Sequence, residues 1–189
     1  MDYLDREVPI PPMLHSFEHG GPFEKCLVCS TRLHDAPDGY LIQRVFRNAE
    51  PIIEYAMCAS CMDDMQNELS RESRDRIGAW VVEHVDLRKR RRALYRLRNT
   101  DDMTPLLQRC IVTQEWADDQ NEWEIAAWCV GDRMRVQEGT PVMLCSSVIE
   151  SLSSLCSQKT REWMEDFIGN HFGMPPEFCD EPDLMPILI

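Results

Sequence analysis

Four cysteines in two Cys-x2-Cys pairs constrain the fold of this chain more than any other feature. The first pair is Cys26 and Cys29, the second is Cys58 and Cys61, and 28 residues lie between the pairs. Cysteines two residues apart can bind one ion from a single tight turn, and Zn²⁺ prefers four thiolates in a closed tetrahedron. The spacing therefore predicts that these four side chains hold one structural zinc ion per chain.

The residues around the cysteines predict a hairpin followed by a helix. Residues 40–47 and 52–57 are strand-like, Asn48-Ala49-Glu50-Pro51 lies between them as a turn, and apolar residues at helical spacing follow Cys58. A cysteine turn, a hairpin and a helix that carries the last two ligands resemble the treble-clef class of four-cysteine zinc modules, over roughly residues 23–70. The resemblance implies an architecture rather than an activity, because treble clefs serve nucleic-acid binding, protein binding and catalysis alike.

Other interpretations of the cysteines stay open at this point. The two pairs could be unrelated, one pair could serve redox chemistry without the βαβ context of thioredoxin-like motifs, or all four could hold an iron–sulfur cluster. His34, five residues after Cys29, could replace a ligand, although we expect a solvent-facing turn histidine. Four thiolates leave no open position for water or substrate, so we expect no metal catalysis.

The second half of the chain resembles the first. A shift of 87 residues aligns 58–84 with 145–171, and a shift of 84 aligns 25–28 with 109–112. The identities under the longer shift are Cys58, Ser60, Ser70, Arg74 and His84 with Cys145, Ser147, Ser157, Arg161 and His171. Self-similarity of this kind favours a repeated structural unit, although two unrelated pairs of capped helices would also share apolar spacing and a capping serine.

The second copy lacks half of the predicted metal ligands. Cys29 corresponds to Thr113 and Cys61 to Val148, so only Cys110 and Cys145 remain. Two cysteines cannot close a tetrahedral site. We therefore expect this half to be free of metal, with its tryptophans forming a larger apolar core in place of the ion.

Charge is distributed unevenly along the chain. The net charge of −13 disfavours a protein built mainly to bind nucleic acid. Residues 88–98, named here the basic segment, nevertheless hold seven basic and no acidic side chains. This segment could bind phosphates, but we expect it to be solvated or to contact acids of the same chain, such as Asp118, Asp119, Glu122 and Glu124.

These patterns predict an α+β fold of two tandem treble-clef-like lobes, each a hairpin plus two helices. The first lobe is zinc-bound, the second is degenerate, and a long basic helix joins them. We expect an irregular N-terminal arm over 1–22, a zinc-binding lobe with its linker helix over 23–98, a metal-free lobe over 99–175 and an acidic tail over 176–189. The linker helix is predicted to run from Ser70 to about Arg98, and Leu107–Val112 is predicted as a strand.

The sequence favours an interaction module over an enzyme. It contains none of the common nucleotide-binding, zinc-protease or serine-hydrolase motifs, so we expect no catalytic residues and no organic cofactor. A protein partner is our first hypothesis, with the acidic tail as one docking peptide. A nucleic-acid-associated factor using the basic segment and a zinc–thiolate redox sensor are the alternatives. No signal-peptide pattern and no apolar run of roughly 20 residues occur, which predicts a cytoplasmic protein without a membrane partner.

Overall fold

A computed structural model of the chain describes residues 5–173, and the predicted acidic tail lies outside them. The described residues form helices and one antiparallel sheet, which confirms the α+β class. The strands are β1 (Arg6–Pro9), β2 (Tyr40–Arg47), β3 (Glu50–Cys58), β4 (Glu122–Val130), β5 (Arg133–Val136) and β6 (Val142–Cys145). The helices are α1 (Ala59–Glu68), α2 (Arg71–His84), α3 (Leu87–Arg96), α4 (Thr104–Leu107), α5 (Ser146–Ser154) and α6 (Gln158–Phe172).

The sheet joins the two halves of the chain. Its strand order is β1-β5-β4-β2-β3, and β6 also pairs with β4. The predicted hairpin is β2–β3, while β2 and β4 pair along eight residues, from Tyr40 opposite Cys129 to Arg47 opposite Glu122. Phe46 and Trp123 stack across this central pair with ring centroids 4.0 Å apart. The halves, which were predicted to be joined by a helix, therefore share a sheet and an apolar core.

The sequence predicted an irregular N-terminal arm, but part of this arm forms a strand. Strand β1 pairs with β5, so the arm adds an edge strand to the sheet. Arg6 donates hydrogen bonds of 2.7 Å to the carbonyl oxygens of Leu97 and Thr100, which bind the arm to the chain that follows α3. The alternating pattern of β1 is short, and its partner strand lies more than 120 residues away, so sequence periodicity did not reveal it.

The prediction of one helix from Ser70 to about Arg98 is wrong. The helix ends at His84, and α3 starts at Leu87. The carboxylate of Asp86 accepts hydrogen bonds of 3.0 Å from the backbone N–H groups of Arg88 and Lys89, which makes Asp86 the N-cap of a new helix. The prediction of a strand over Leu107–Val112 is also wrong, because this segment begins with the last residue of α4 and continues as a turn.

The two halves repeat the same local structure. Each has a cysteine turn, a short 3-10 helix, paired strands and two helices in that order, with β5 as an additional strand in the second half. The turns contain corresponding residues with positive φ, Ser30 at 59° and Gln114 at 68°. Each turn also donates one equivalent bond to a strand, Leu27 N–H to Ala56 O at 2.9 Å and Ile111 N–H to Met143 O at 3.0 Å.

Four hydroxyl side chains join α2 to α6, and we name them the capping cluster: Ser70, Ser73, Ser157 and Thr160. Ser70 and Ser157 cap their own helices by accepting from the N–H groups of Ser73 and Thr160. Each half also donates into the other, because Ser70 N–H bonds to Thr160 Oγ1 at 3.0 Å and Ser157 N–H bonds to Ser73 Oγ at 2.8 Å. The reciprocal pattern relates the halves by an approximate two-fold arrangement.

Candidate metal centre

The first cysteine pair lies on the turn that precedes the β2–β3 hairpin. The N–H of Ser30 donates to the carbonyl of Cys26 at 3.0 Å, and Ser30 itself adopts the left-handed conformation that closes the turn. The bond from Leu27 N–H to Ala56 O then holds the turn against β3. The turn therefore brings Cys26 and Cys29 to the end of the strand that carries the second pair.

The second pair lies where β3 passes into α1. Cys58 is the N-cap of α1, its side chain makes no capping bond, and Cys61 is the third helical residue. A helix N-terminus favours negative charge, which offsets part of the cost that burial imposes on a thiolate here. The backbone N–H of Cys58 also donates to Cys26 Sγ at 3.4 Å, which orients one sulfur of the first pair toward the second pair.

Gly39 fixes where the hairpin starts relative to the second half. Its φ is +85°, and a Cβ atom at this position would lie 2.5 Å from the carbonyl oxygen of Cys129 in β4. The carbonyl of Gly39 accepts the N–H of Ala59 at 3.0 Å, so this close approach sets the first residue of α1 as well. Only glycine satisfies both the backbone conformation and the available space.

The structure brings all four predicted ligands together. The sulfur atoms of Cys26, Cys29, Cys58 and Cys61 lie within 4.8 Å of one another. The pair from Cys29 to Cys58 is 3.7 Å apart. Four sulfurs at about 2.3 Å from one ion in a tetrahedron lie about 3.8 Å from one another, so the cluster has the size of a four-thiolate site. His34, the alternative ligand, is exposed and does not belong to this cluster.

Hydrogen bonding and burial shift the pKa values of these thiols in opposite directions. Bonds to the side chain and then the backbone of Thr31 lower the pKa of Cys29 to about 6. Burial raises the pKa values of Cys58 and Cys61. A cation binds the thiolate form, so its binding displaces protons from the buried pair. Thr31 is a contact that the cysteine spacing could not reveal.

The corresponding place in the second half contains two thiols and two hydroxyls. Cys145 Sγ donates to Cys110 Sγ at 3.4 Å, and the hydroxyl oxygens of Thr113 and Ser147 lie 3.3 and 3.4 Å from Cys145 Sγ. The bond from Cys145 lowers the pKa of Cys110 to about 5. Of the tryptophans expected to form a larger apolar core in this half, Trp123 is buried and stacks on Phe46 of β2, Trp128 and Trp163 pack against the core, and Trp116 is 46% exposed.

The basic segment contains one buried arginine and several exposed cations. Arg90 is buried, which lowers its pKa to about 10, and it donates to the carbonyl oxygens of Gln137, Glu138 and Pro141. Arg91 pairs with the Glu138 carboxylate. Two of the acids suggested from sequence contact residues outside the basic segment, since Glu122 pairs with Arg47 and Glu124 accepts from Gln43. The exposed basic side chains of the segment are Arg88, Lys89, Arg91, Arg92, Arg96 and Arg98.

A buried polar chain in the sheet was not predicted from the sequence. Tyr55 OH donates to Gln43 Oε1 at 2.6 Å, and Gln43 Nε2 donates to Glu124 Oε2 at 3.1 Å. Tyr55, Gln43 and Glu124 belong to β3, β2 and β4. The side chains of Gln43 and Glu124 are at most 2% exposed. Gln43 and Glu124 occupy inward positions of strands that are otherwise apolar. That mismatch is the only signal the sequence offers for them.

Two further findings bear on function. Over residues 5–173, no helix is both long enough and apolar enough to cross a membrane. Comparisons of the chain with protein-family models, with curated proteins and with solved structures give no match.

Proposed function

We propose that the chain is a non-enzymatic interaction module whose first half is stabilised by one structural Zn²⁺ ion on Cys26, Cys29, Cys58 and Cys61. The single observation that carries this proposal is the convergence of four sulfur atoms within 4.8 Å. Thiolates are soft ligands, and a tetrahedral set of four is typical of structural zinc. A site closed by four protein ligands serves stability rather than catalysis.

Energetics support a structural role for the ion. Structural zinc contributes roughly 10–16 kcal/mol of apparent binding free energy, which is comparable to the total stability of a typical domain, about 5–15 kcal/mol. Here the ion would hold the cysteine turn to the start of α1, a junction that otherwise has the bonds Leu27 N–H to Ala56 O and Cys58 N–H to Cys26 Sγ. The first half therefore depends on metal for the rigidity of this end.

Under this proposal, the halves 23–98 and 99–175 are two copies of one treble-clef-like unit, and the second has lost its metal. The equivalent positive-φ residues, the equivalent turn-to-strand bonds and the reciprocal capping cluster support it. Unrelated capped helices would share the capping serines, but they would not share the turns that precede the strands. The two helices of each copy then pack around the same sheet.

Matched cysteine substitutions test the metal site directly. Cys58 is the N-cap of α1 and Cys145 is the N-cap of α5, so Cys58→Ser and Cys145→Ser make the same chemical change at corresponding positions. Native mass spectrometry of the full chain should show one zinc ion in the wild type and in Cys145→Ser, and none in Cys58→Ser. Equal metal content in the two variants, or a folded wild type that holds no metal, would contradict the proposal.

We assign the interaction surface to α3 and the residues just after it. Six basic side chains are exposed there, and Leu87 and Tyr95 on the same helix are 46% and 50% exposed. Arg90 and Leu94 are buried, so the helix is fixed to the molecule while its outer face stays available. A basic face with two apolar side chains is suited to an acidic protein surface, and the chain's own excess of acid repels the denser charge of a nucleic acid more strongly than that of a protein.

Charge reversal on α3 and a comparison of two ligands distinguish an acidic protein partner from a nucleic acid. The variant Arg88→Glu with Arg92→Glu should abolish binding to poly-glutamate, used as a model acidic chain, while Arg71→Glu with Arg74→Glu on α2 should leave it unchanged. Stronger binding of a single-stranded oligonucleotide than of poly-glutamate, with a steep dependence on salt, would favour the nucleic-acid function instead. Equal effects of the two variants would remove α3 from the proposal.

A further inference from the structure

A cavity of about 460 Å³ lies between α2 and one face of the sheet. Residues of three strands form its floor, among them Leu41 of β2, Trp128 of β4 and Leu144 of β6. Val82 of α2 and Leu87 of α3, which are 84% and 46% exposed, also line it, so the cavity reaches the surface. Exposed apolar side chains that continue into a cavity of this volume indicate a binding site for an apolar group.

Helix α3 begins at the rim of this cavity. Its first residue, Leu87, lines the cavity, and one turn later Arg91 pairs with Glu138, which lines it too. Arg88 and Arg92 are exposed on the same helix. An apolar cavity therefore adjoins a basic helix, and the ligand complementary to both contains an apolar segment next to an acidic one.

The acidic tail of this chain, residues 176–189, has this composition in this order. It contains no basic residue and four acidic ones, which are Glu177, Asp180, Glu181 and Asp183. The apolar run Leu184-Met185-Pro186-Ile187-Leu188-Ile189 follows them directly. The tail therefore provides both of the groups that the cavity and α3 are suited to bind.

The helix that precedes the tail ends close to the cavity. Phe172, the last residue of α6, contacts Tyr55 with ring centroids 5.8 Å apart. The Tyr55 hydroxyl donates to Gln43, which lines the cavity, at 2.6 Å. Twelve residues separate Phe172 from Leu184. They span up to about 40 Å at roughly 3.3 Å per residue, whereas a floor of three strands is only about 10 Å wide between its outer strands. The apolar run can therefore reach the cavity, and such a short tether gives it an effective concentration in the millimolar range.

We propose that the acidic tail binds to its own chain, with residues 184–189 in the cavity and the acidic residues before them on the exposed cations of α3. In this state the tail covers the face of α3 that binds an acidic partner under the proposed function. The tail is then an intramolecular competitor of that partner, and this regulatory part rests on the proposed function. Occupancy of the cavity rests neither on the role of α3 nor on zinc.

The indole N–H signals of the tryptophans in two-dimensional NMR of the full chain test the occupancy. Trp80 and Trp128 line the cavity, whereas Trp123 alternates with the cavity residues of β4 and lies on the opposite face of the sheet. Ile187→Ser with Leu188→Ser should shift the signals of Trp80 and Trp128 and leave that of Trp123 in place. Unchanged signals of Trp80 and Trp128, or equal shifts of all three, would overturn the proposal.

A matched pair of glycine substitutions tests the location. Gly139 lines the cavity and Gly78 lies on α2 outside the lining, and a Cβ atom at either position would enter open space. Gly139→Phe adds a ring at the cavity and should displace the tail, so that the two tail serines then shift Trp80 no further. With Gly78→Phe the tail serines should act as in the wild type. A full effect of the tail serines in a folded Gly139→Phe protein contradicts the location.

Two controls complete this test. The tail serines lie outside residues 5–173, so their effect on the indole signals decides the occupancy even if Gly139→Phe does not fold. Spectra are also recorded over a range of protein concentrations. A wild-type spectrum that approaches that of the serine variant on dilution would mean that a second copy of the chain supplies the tail, and this result would overturn intramolecular binding.

Binding of poly-glutamate tests the regulatory part. If the tail covers α3 in about nine molecules of ten, removing its charge should raise the affinity for poly-glutamate about tenfold. The tail variant replaces the four acids by amides, as Glu177→Gln, Asp180→Asn, Glu181→Gln and Asp183→Asn. A control variant removes the same charge from four exposed acids on α1 and α6, as Asp63→Asn, Asp64→Asn, Glu165→Gln and Asp166→Asn.

The outcomes separate this inference from the proposed function. Equal affinities of the tail variant and the control variant would overturn the regulatory part, because the gain would then come from net charge alone. If no form of the protein binds poly-glutamate, the proposed function of α3 fails. The indole signals of Trp80 and Trp128 decide in either case whether the tail occupies the cavity.

Discussion

The capping cluster predicts that the two halves unfold as one unit. Ser73 and Thr160 are fully buried, and their hydroxyl oxygens lie 3.0 Å apart. Each accepts an N–H from the opposite half, that of Ser157 at 2.8 Å and that of Ser70 at 3.0 Å. Removing either hydroxyl therefore leaves the N–H of a half-buried serine in the other half without this acceptor. Such a loss costs about 1–3 kcal/mol.

The perturbations are Ser73→Ala, Thr160→Val and the two together. We expect each single change to lower the free energy of unfolding by about 1–3 kcal/mol. The double variant should lose less than the sum, with a coupling energy of about 0.5–3 kcal/mol, because the two hydroxyls bond to each other. Ser154→Ala, at an exposed serine of α5, is the control and should change stability by less than about 0.5 kcal/mol.

Urea unfolding at a fixed free zinc concentration measures these energies, since bound metal itself adds stability. Two probes are recorded. Tryptophan fluorescence weights the second half, where four of the five tryptophans lie, and circular dichroism reports helices of both halves. The two transitions should coincide in every variant. Strictly additive losses, losses below about 0.5 kcal/mol, or two separate transitions would refute the idea that these bonds couple the halves.

Three further predictions concern single side chains. Arg90→Ala should cost about 2–4 kcal/mol in urea unfolding, because buried carbonyl oxygens lose their charged donor, whereas Arg91→Ala, at an exposed pair, should cost at most about 1 kcal/mol. Trp123→Ala should cost about 3–5 kcal/mol, since the ring is 6% exposed and stacked on Phe46. The pKa of Glu54 is lowered because, against the cost of burial, backbone N–H groups, a hydroxyl and an arginine favour its charged form. Its stabilisation is complete above the ordinary value of 4.5 and is lost as pH falls through the lowered pKa, so the stability difference from Glu54→Gln should shrink toward low pH.

Local chemistry made part of this structure predictable. The Cys-x2-Cys spacing located the four sulfurs, and the strand-like composition of residues 40–47 located β2. The capping serines Ser70 and Ser157 located the starts of α2 and α6. Each of these signals lies within a few residues of the feature it specifies. The similarity of the two halves could also be detected in the sequence, because it rests on the same short-range turns and helix caps.

Long-range pairing was not predictable in the same way. The contact of β2 with β4 joins residues about 80 apart in the sequence. The sequence of neither strand indicates which other strand it pairs with. The break at Asp86 was missed because an aspartate inside a polar helical pattern is compatible with both a continuing helix and a new N-cap.

If the first half holds zinc as proposed, the second half lacks a comparable source of stability of its own. At the position of the proposed ion it has a thiol–thiol contact and two hydroxyl contacts, and ordinary hydrogen bonds contribute only about 0.5–1.5 kcal/mol each. That is far below the roughly 10–16 kcal/mol of a structural zinc ion. The difference is offset by the β2–β4 pairing, the Phe46–Trp123 stack and the capping cluster, all of which join one half to the other.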